Sequence, residues 1–234
     1  MEIFDVIIIG FIAGSATAIG GLLSGMIPVK KDLWLQLTFG FAGGVMAGLA
    51  LFQLMPEGYF FAESVLPVAF GFSIGLVFMT LLSFLTGNAT LCNNDSDYKK
   101  IGLFITLALA LHNFPEGIAI GVGFAGKNAL GFMIASAMLL HNIPEGLGIG
   151  VPLRKSGMSF WKIIVLTFAA GLFTPLGAII GWSIGTISCS TLGWAMGLAA
   201  GAMLFVSFTK LLSFNGYWNN LGAFCGILLT FIIA

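Results

Sequence analysis

The chain has 234 residues, of which 59% are hydrophobic and only 8% are charged, and its formal net charge is zero. A soluble domain carries about 25% charged residues, so this composition excludes a water-facing globular surface. The sequence therefore predicts an integral membrane protein, and its neutral charge predicts no nucleic-acid partner.

Apolar runs follow one another along the chain, and most reach the roughly 20 residues that a helix needs to cross a bilayer. We predict an all-α fold in which eight transmembrane helices form one polytopic domain over residues 1–234. The predicted spans, in chain order, are 4–26, 34–56, 63–86, 100–124, 128–151, 160–184, 191–213 and 217–234.

Basic residues are distributed unevenly over the connections between these spans. Only Lys127 falls on one side, and the other eight fall on the opposite side: Lys30, Lys31, Lys99, Lys100, Arg154, Lys155, Lys162 and Lys210. An excess of lysine and arginine marks the cytoplasmic side of a membrane protein. The chain is therefore predicted to lie in the plasma (cytoplasmic) membrane, with both termini outside.

Two copies of one motif carry the only histidines of the chain. HNFPEG at 112–117 lies in the fourth predicted span and HNIPEG at 141–146 in the fifth. Ionisable residues at membrane depth are expensive and mark functional sites. A lone histidine could simply bond a neighbouring helix, but packing does not account for a repeated motif that holds every histidine.

The spacing within each copy indicates a metal site. Residues four apart share a helix face, so each span presents a histidine and a glutamate in one direction, and the two spans run antiparallel. The four side chains predicted to meet are His112, Glu116, His141 and Glu145. Imidazole and carboxylate ligands suit Zn²⁺, and also Fe²⁺, Mn²⁺ or Co²⁺.

The prolines inside the motifs point to transport. Pro115 and Pro144 are each expected to kink a helix and free the carbonyl four residues earlier, and Asn113 and Asn142 add side-chain oxygens. Broken helices that combine freed carbonyls with a polar cluster, repeated in inverted orientation, are typical of transporter sites.

At these motifs the chain resembles the ZIP (Zrt/Irt-like) family of divalent metal transporters, in particular its bacterial zinc-uptake branch. The resemblance implies a 3+2+3 helix bundle with inverted pseudo-symmetry, in which Pro-kinked helices four and five form the centre. It also implies uptake of Zn²⁺, and of Fe²⁺, Mn²⁺, Co²⁺ or Cd²⁺, into the cytoplasm, with the metal as cargo and no cofactor.

The resemblance further implies a primary site of His112, Glu116, His141 and Glu145, with Asn113 and Asn142 in an adjoining second site that shares both glutamates. Four other positions are candidates for the pathway or the second site. They are Gln53, Glu57, Thr174 and Lys210. Gln53, Thr174 and Lys210 depart from the family pattern, and for that reason we predict one bound metal rather than two.

An intramembrane metalloprotease and a metal-binding protein without transport are the alternatives to a transporter. An intramembrane metalloprotease needs His-Glu-x-x-His, and the motif fails this pattern at two positions, so we predict no enzyme. A degenerate family member that binds metal without transporting it, as a sensor or partner protein, stays open because of the departures at Thr174, Thr209 and Lys210. A homodimer is one option for the assembly, which the sequence does not determine.

Overall fold

The computed structural model describes residues 2–85, 95–126, 128–184, 189–213 and 216–233, and its regular elements within these ranges are helices. We number eight helices in chain order: α1 (Ile3–Ser24), α2 (Asp32–Ala62), α3 (Val65–Leu85), α4 (Asp95–Gly126), α5 (Asn128–Lys155), α6 (Phe160–Ile184), α7 (Cys189–Val206 continued by Ser207–Leu211) and α8 (Tyr217–Ile233).

Seven of these helices are long and apolar enough to cross a membrane. The remaining one, α8, is nearly as long, at 17 residues. Their outer faces expose large apolar side chains, such as Leu66, Phe70 and Phe84 of α3, which water would not favour. The prediction of an all-α, multi-pass membrane protein is therefore confirmed.

The helices differ from the predicted spans mainly at three ends. α2 continues to Ala62 rather than ending near 56, α4 begins at Asp95 rather than 100, and α5 continues to Lys155 rather than ending near 151. Each extension is partly polar, so hydropathy alone stops too early. Residues 87–94 and Lys127, which the sequence places in connections, lie outside the described residues, as does residue 86 at the end of the third predicted span.

Pro175 explains an interruption of α6 at Leu172, between Phe160–Gly171 and Phe173–Ile184. A proline has no N–H for the carbonyl four residues earlier, and its ring crowds that carbonyl. The Gly171 carbonyl freed in this way lies against Gly14 of α1, where an added Cβ would collide with it. The interruption therefore lies at a contact between backbones that only glycine fits.

The helices pack in pairs around a central pair. α4 and α5 pack against each other, and α6 lies along α4 as α1 lies along α5. At the periphery, α2 pairs with α8 and α3 pairs with α7. Small residues permit this closeness: a Cβ at Gly40 or Gly44 would collide with the backbone of α8, and one at Gly197 or Gly201 with that of α3.

Candidate metal centre

Four ionisable side chains meet between α4 and α5. His112 Nε2 lies 3.0 Å from Glu116 Oε1 and 3.2 Å from Glu145 Oε1. His141 Nε2 lies 3.0 Å from Glu116 Oε1. One candidate ligand atom from each of the four lies within 4.8 Å of the other three. The structure thus brings together the four side chains that the motifs predicted to meet.

The contacts follow from how the two central helices run. Within each helix the histidine and the glutamate are one turn apart and share a face. Between the helices, His112 contacts Glu145 and Glu116 contacts His141. Along the contact, residue numbers therefore rise on α4 while they fall on α5. This is the pattern of antiparallel neighbours, and it places the four side chains near the middle of both helices.

The cluster is buried and only partly satisfied. All four residues are at most 1% exposed. Glu116 Oε2, Glu145 Oε2 and the Nδ1 atoms of both histidines have no hydrogen-bond partner among the described residues. Buried carboxylates without sufficient partners are costly, and a bound cation would offset the negative charge of the two carboxylates.

The donor spacing suits a metal ion. Zinc binds imidazole nitrogen and carboxylate oxygen at about 2.0 to 2.2 Å in tetrahedral geometry, which separates neighbouring ligand atoms by about 3.3 to 3.6 Å. The three direct contacts of 3.0, 3.0 and 3.2 Å lie slightly below this separation. The other pairs of ligand atoms lie within 4.8 Å, so the four donors are spaced closely enough to surround one divalent cation.

Asn113 and Asn142 connect the central pair to the flanking helices. Asn113 Nδ2 donates to the carbonyl oxygen of Ala170 on α6 at 3.1 Å, and Asn142 Nδ2 donates to that of Ala13 on α1 at 2.8 Å. Both asparagines are completely buried. Their Oδ1 atoms are without a partner in the part of the chain that the structure describes, so each retains an acceptor.

Gln53 and Glu57 lie together on α2. Gln53 Nε2 donates to Glu57 Oε1 at 3.2 Å, and Gln53 is 8% exposed. Gln53 belongs to a π-helical turn, Ala50–Leu54, inside α2. Such turns are rare and often lie at functional sites, but Glu57 is not one of the four residues of the cluster.

Lys210 lies in the second π-helical turn, Ser207–Leu211, at the end of α7. It is only 3% exposed, and its Nζ lies 4.8 Å from the ring centroid of Phe104 on α4. An ammonium over an aromatic face is stabilised by the ring quadrupole. The lysine therefore packs against the helix that carries His112 rather than extending into solvent.

Thr174 is completely buried on α6, and sequence reasoning missed its counterpart, Thr17 on α1. The hydroxyl oxygens of both lack a partner within the described ranges. A signal was available: AGSAT at 13–17 is repeated as AGLFT at 170–174. The alanine that begins each copy is the one whose carbonyl accepts the asparagine bond.

Comparison with known proteins agrees with this geometry. A family model described as "ZIP Zinc transporter" matches residues 92–234. The chain belongs to the ZIP family. ZIP-family relatives named zinc transporter ZupT include that of Chlorobium limicola, which is 36% identical over 223 residues, covering 86% of this chain and 84% of the relative.

Two further ZIP relatives cover the chain more fully. The zinc transporter ZupT of Streptococcus mutans is 31% identical and covers 90% of this chain and 87% of its own length. The zinc transporter ZupT of Akkermansia muciniphila is 31% identical, and the match covers 99% of this chain and 97% of the relative. The ZIP resemblance predicted from the two motifs is therefore confirmed over essentially the whole chain.

Proposed function

We propose that the protein transports divalent metal ions, zinc first among them, across the plasma membrane into the cytoplasm. The observation that carries this function is the buried cluster of His112, Glu116, His141 and Glu145, in which two imidazoles and two carboxylates meet near the middle of adjacent membrane helices. Family membership supports zinc as the transported ion, since relatives that cover most of the chain are named zinc transporters.

The chain forms one membrane domain, residues 1–234, as a 3+2+3 bundle with inverted pseudo-symmetry. Matching contacts support this arrangement. Gly146 of α5 packs on the Thr17 carbonyl of α1, and Gly117 of α4 packs in the same way on the Thr174 carbonyl of α6. Helix α2 packs on α8 as α7 packs on α3. The three helices α1, α2 and α3 therefore correspond in order to α6, α7 and α8, on the two sides of the central pair. Pro115 and Pro144 kink the central helices at the site.

The basic ends of the helices face the cytoplasm, and both termini face outward. Two basic segments support this orientation because they lie together in the structure. The connection between α1 and α2 contributes Lys30 and Lys31 to one cavity, and the end of α5 contributes Arg154 and Lys155 to the same cavity. The shared position of these basic residues agrees with the positive-inside rule. Assembly as a homodimer stays a prediction.

The metal enters from outside past Glu57 and Gln53, loses water, and binds between α4 and α5. Each histidine contributes Nε2 and each glutamate contributes Oε1, the atoms that already face one another. Movement of the central pair against the flanking helices then releases the ion inward, past Lys210. We expect a single metal at the site because Gln53, Thr174 and Lys210 depart from the family pattern.

Metal competition in proteoliposomes tests the function. Purified protein is expected to fill zinc-free vesicles with Zn²⁺ and to retain close to one Zn²⁺ per chain. Excess Fe²⁺, Mn²⁺, Co²⁺ or Cd²⁺ is expected to slow zinc entry, whereas Mg²⁺, which prefers oxygen ligands, is not. Protein-free vesicles serve as the control. Zinc binding without entry would instead identify a sensor, and equal competition by Mg²⁺ would rule out a His-containing site.

A further inference from the structure

A second cavity lies at the basic ends of α4, α5 and α6, away from the metal cluster. Its volume is about 360 Å³, and its lining residues are Lys99, Ser156, Gly157, Met158, Ser159 and Lys162. Two of the six are cationic and two carry hydroxyl groups, and among the described residues that line the cavity none is acidic. The cavity thus has the composition of a site for an anionic group such as a phosphate.

The backbone of the turn helps to shape this cavity. Gly157 has a φ of 78°, a left-handed conformation that glycine adopts without strain. Ser159 precedes α6, and its side chain makes no capping hydrogen bond. The N–H groups of the first turn of α6 therefore add a partial positive charge beside the two lysines, although the lysines and the shape of the cavity define the site.

An apolar groove continues from this cavity along the outer face of α6. The groove also measures about 360 Å³ and is lined by Met158, Trp161, Lys162, Val165 and Leu166, so it shares Met158 and Lys162 with the cavity. Trp161 is 73% exposed and Val165 is 64% exposed. Such side chains on a membrane helix face the acyl chains of the bilayer, with tryptophan near the headgroup level.

We propose that the cavity and the groove together bind one anionic phospholipid of the cytoplasmic leaflet. The lipid phosphate lies between Lys99 and Lys162, and one acyl chain lies along Trp161 and Val165. This proposal rests on the membrane orientation given above. A free phosphate would occupy only the cavity and leave the apolar groove empty. A zwitterionic lipid would place its own cation beside the lysines. The cavity and the groove together therefore favour a lipid with net negative charge.

The basic cavity described above, which is lined by Lys30, Lys31, Arg154 and Lys155, is the comparison for the proposed lipid site. Its other lining residues are Ile27, Pro28, Val29 and Gly157. Lys155 there lies 3.7 Å from Asp32, so part of its charge is already offset. This cavity shares no residue with the apolar groove. Removing two lysines from it changes the total charge equally without touching the proposed lipid site.

Quenching of Trp161 by brominated lipids tests the proposal. Phosphatidylglycerol brominated on its acyl chains is expected to quench the detergent-purified protein more than brominated phosphatidylcholine at the same mole fraction. The excess quenching is expected to vanish in Trp161→Phe, which removes the reporter. In the Lys99→Gln, Lys162→Gln variant the apparent affinity for brominated phosphatidylglycerol is expected to fall roughly 30-fold. Each lysine near a membrane surface contributes a factor of about five, and the two factors multiply.

The matched variant is Lys30→Gln, Lys31→Gln, which is expected to keep the quenching of wild-type protein. Equal quenching by the two lipids, or equal losses in the two double variants, would overturn the proposal. So would abolition of the quenching by inorganic phosphate at a concentration equal to the lipid, since the cavity would then be a site for free anions. These readouts measure lipid binding, so their failure is distinguishable from a failure of metal transport.

Discussion

Replacing Glu116 with glutamine is expected to lower the affinity for zinc by at least about a hundredfold, because loss of a group that only orients a ligand already costs roughly 10- to 100-fold. Glu116 Oε1 is the atom that both histidines contact, each at 3.0 Å. Glutamine keeps the size of the side chain but removes its negative charge. Calorimetric titration of the purified protein with Zn²⁺ measures the effect.

Glu63→Gln is the matched control for this change. Glu63 is an exposed glutamate at the end of α2, so its substitution removes the same charge without touching the cluster and is expected to leave the affinity unchanged. If Glu116→Gln bound zinc as tightly as wild-type protein, Glu116 could not be a ligand, and the metal would have to bind elsewhere.

Replacing Gly146 with alanine is expected to destabilise the protein by about 1 to 3 kcal/mol, the usual cost of overpacking a well-packed contact. A Cβ at Gly146 would collide with the backbone carbonyl of Thr17 on α1. A backbone cannot rotate away as a side chain can, so α1 and α5 would have to separate. Thermal unfolding in detergent measures the loss, and zinc uptake is expected to fall with it because α5 carries two of the four ligands.

Gly148 provides the comparison two residues further along the same helix. A Cβ there would lie 3.5 Å from Ala42 Cβ and 3.8 Å from Leu211 Cδ1, which are ordinary contacts. Gly148→Ala is therefore expected to be neutral or slightly stabilising, since alanine is favoured over glycine in helices. Equal unfolding temperatures for the two variants would show that the close approach of α1 to α5 is not tight enough to exclude a methyl group.

The four residues of the cluster could be predicted because their signal is local. His112 and Glu116 share a helix face by spacing alone, and the second copy of the motif supplies the other two. Composition and apolar run length likewise determined the membrane class and the approximate helices. Such inferences need only periodicity and transfer free energies, which are properties of short segments.

The supporting contacts could not be predicted in the same way because they depend on helix pairing. Nothing within residues 112–117 indicates that Asn113 donates to Ala170, 57 positions later. The repeat of AGSAT as AGLFT indicates that α1 and α6 play equivalent roles, but not which helix each one contacts. The π-helical turns that hold Gln53 and Lys210 were also not predicted, because a single i→i+5 turn inside an apolar helix changes neither its composition nor its approximate length.

The most direct test of the central claim is zinc entry into proteoliposomes that hold the His112→Ala, His141→Ala variant. The variant removes both imidazoles from the cluster and leaves both carboxylates. We predict that the wild-type protein fills the vesicles with Zn²⁺ and that the variant, reconstituted in equal amount and with a wild-type elution profile, does not. Zinc entry at the wild-type rate through the variant would contradict the assignment of the transport site to α4 and α5.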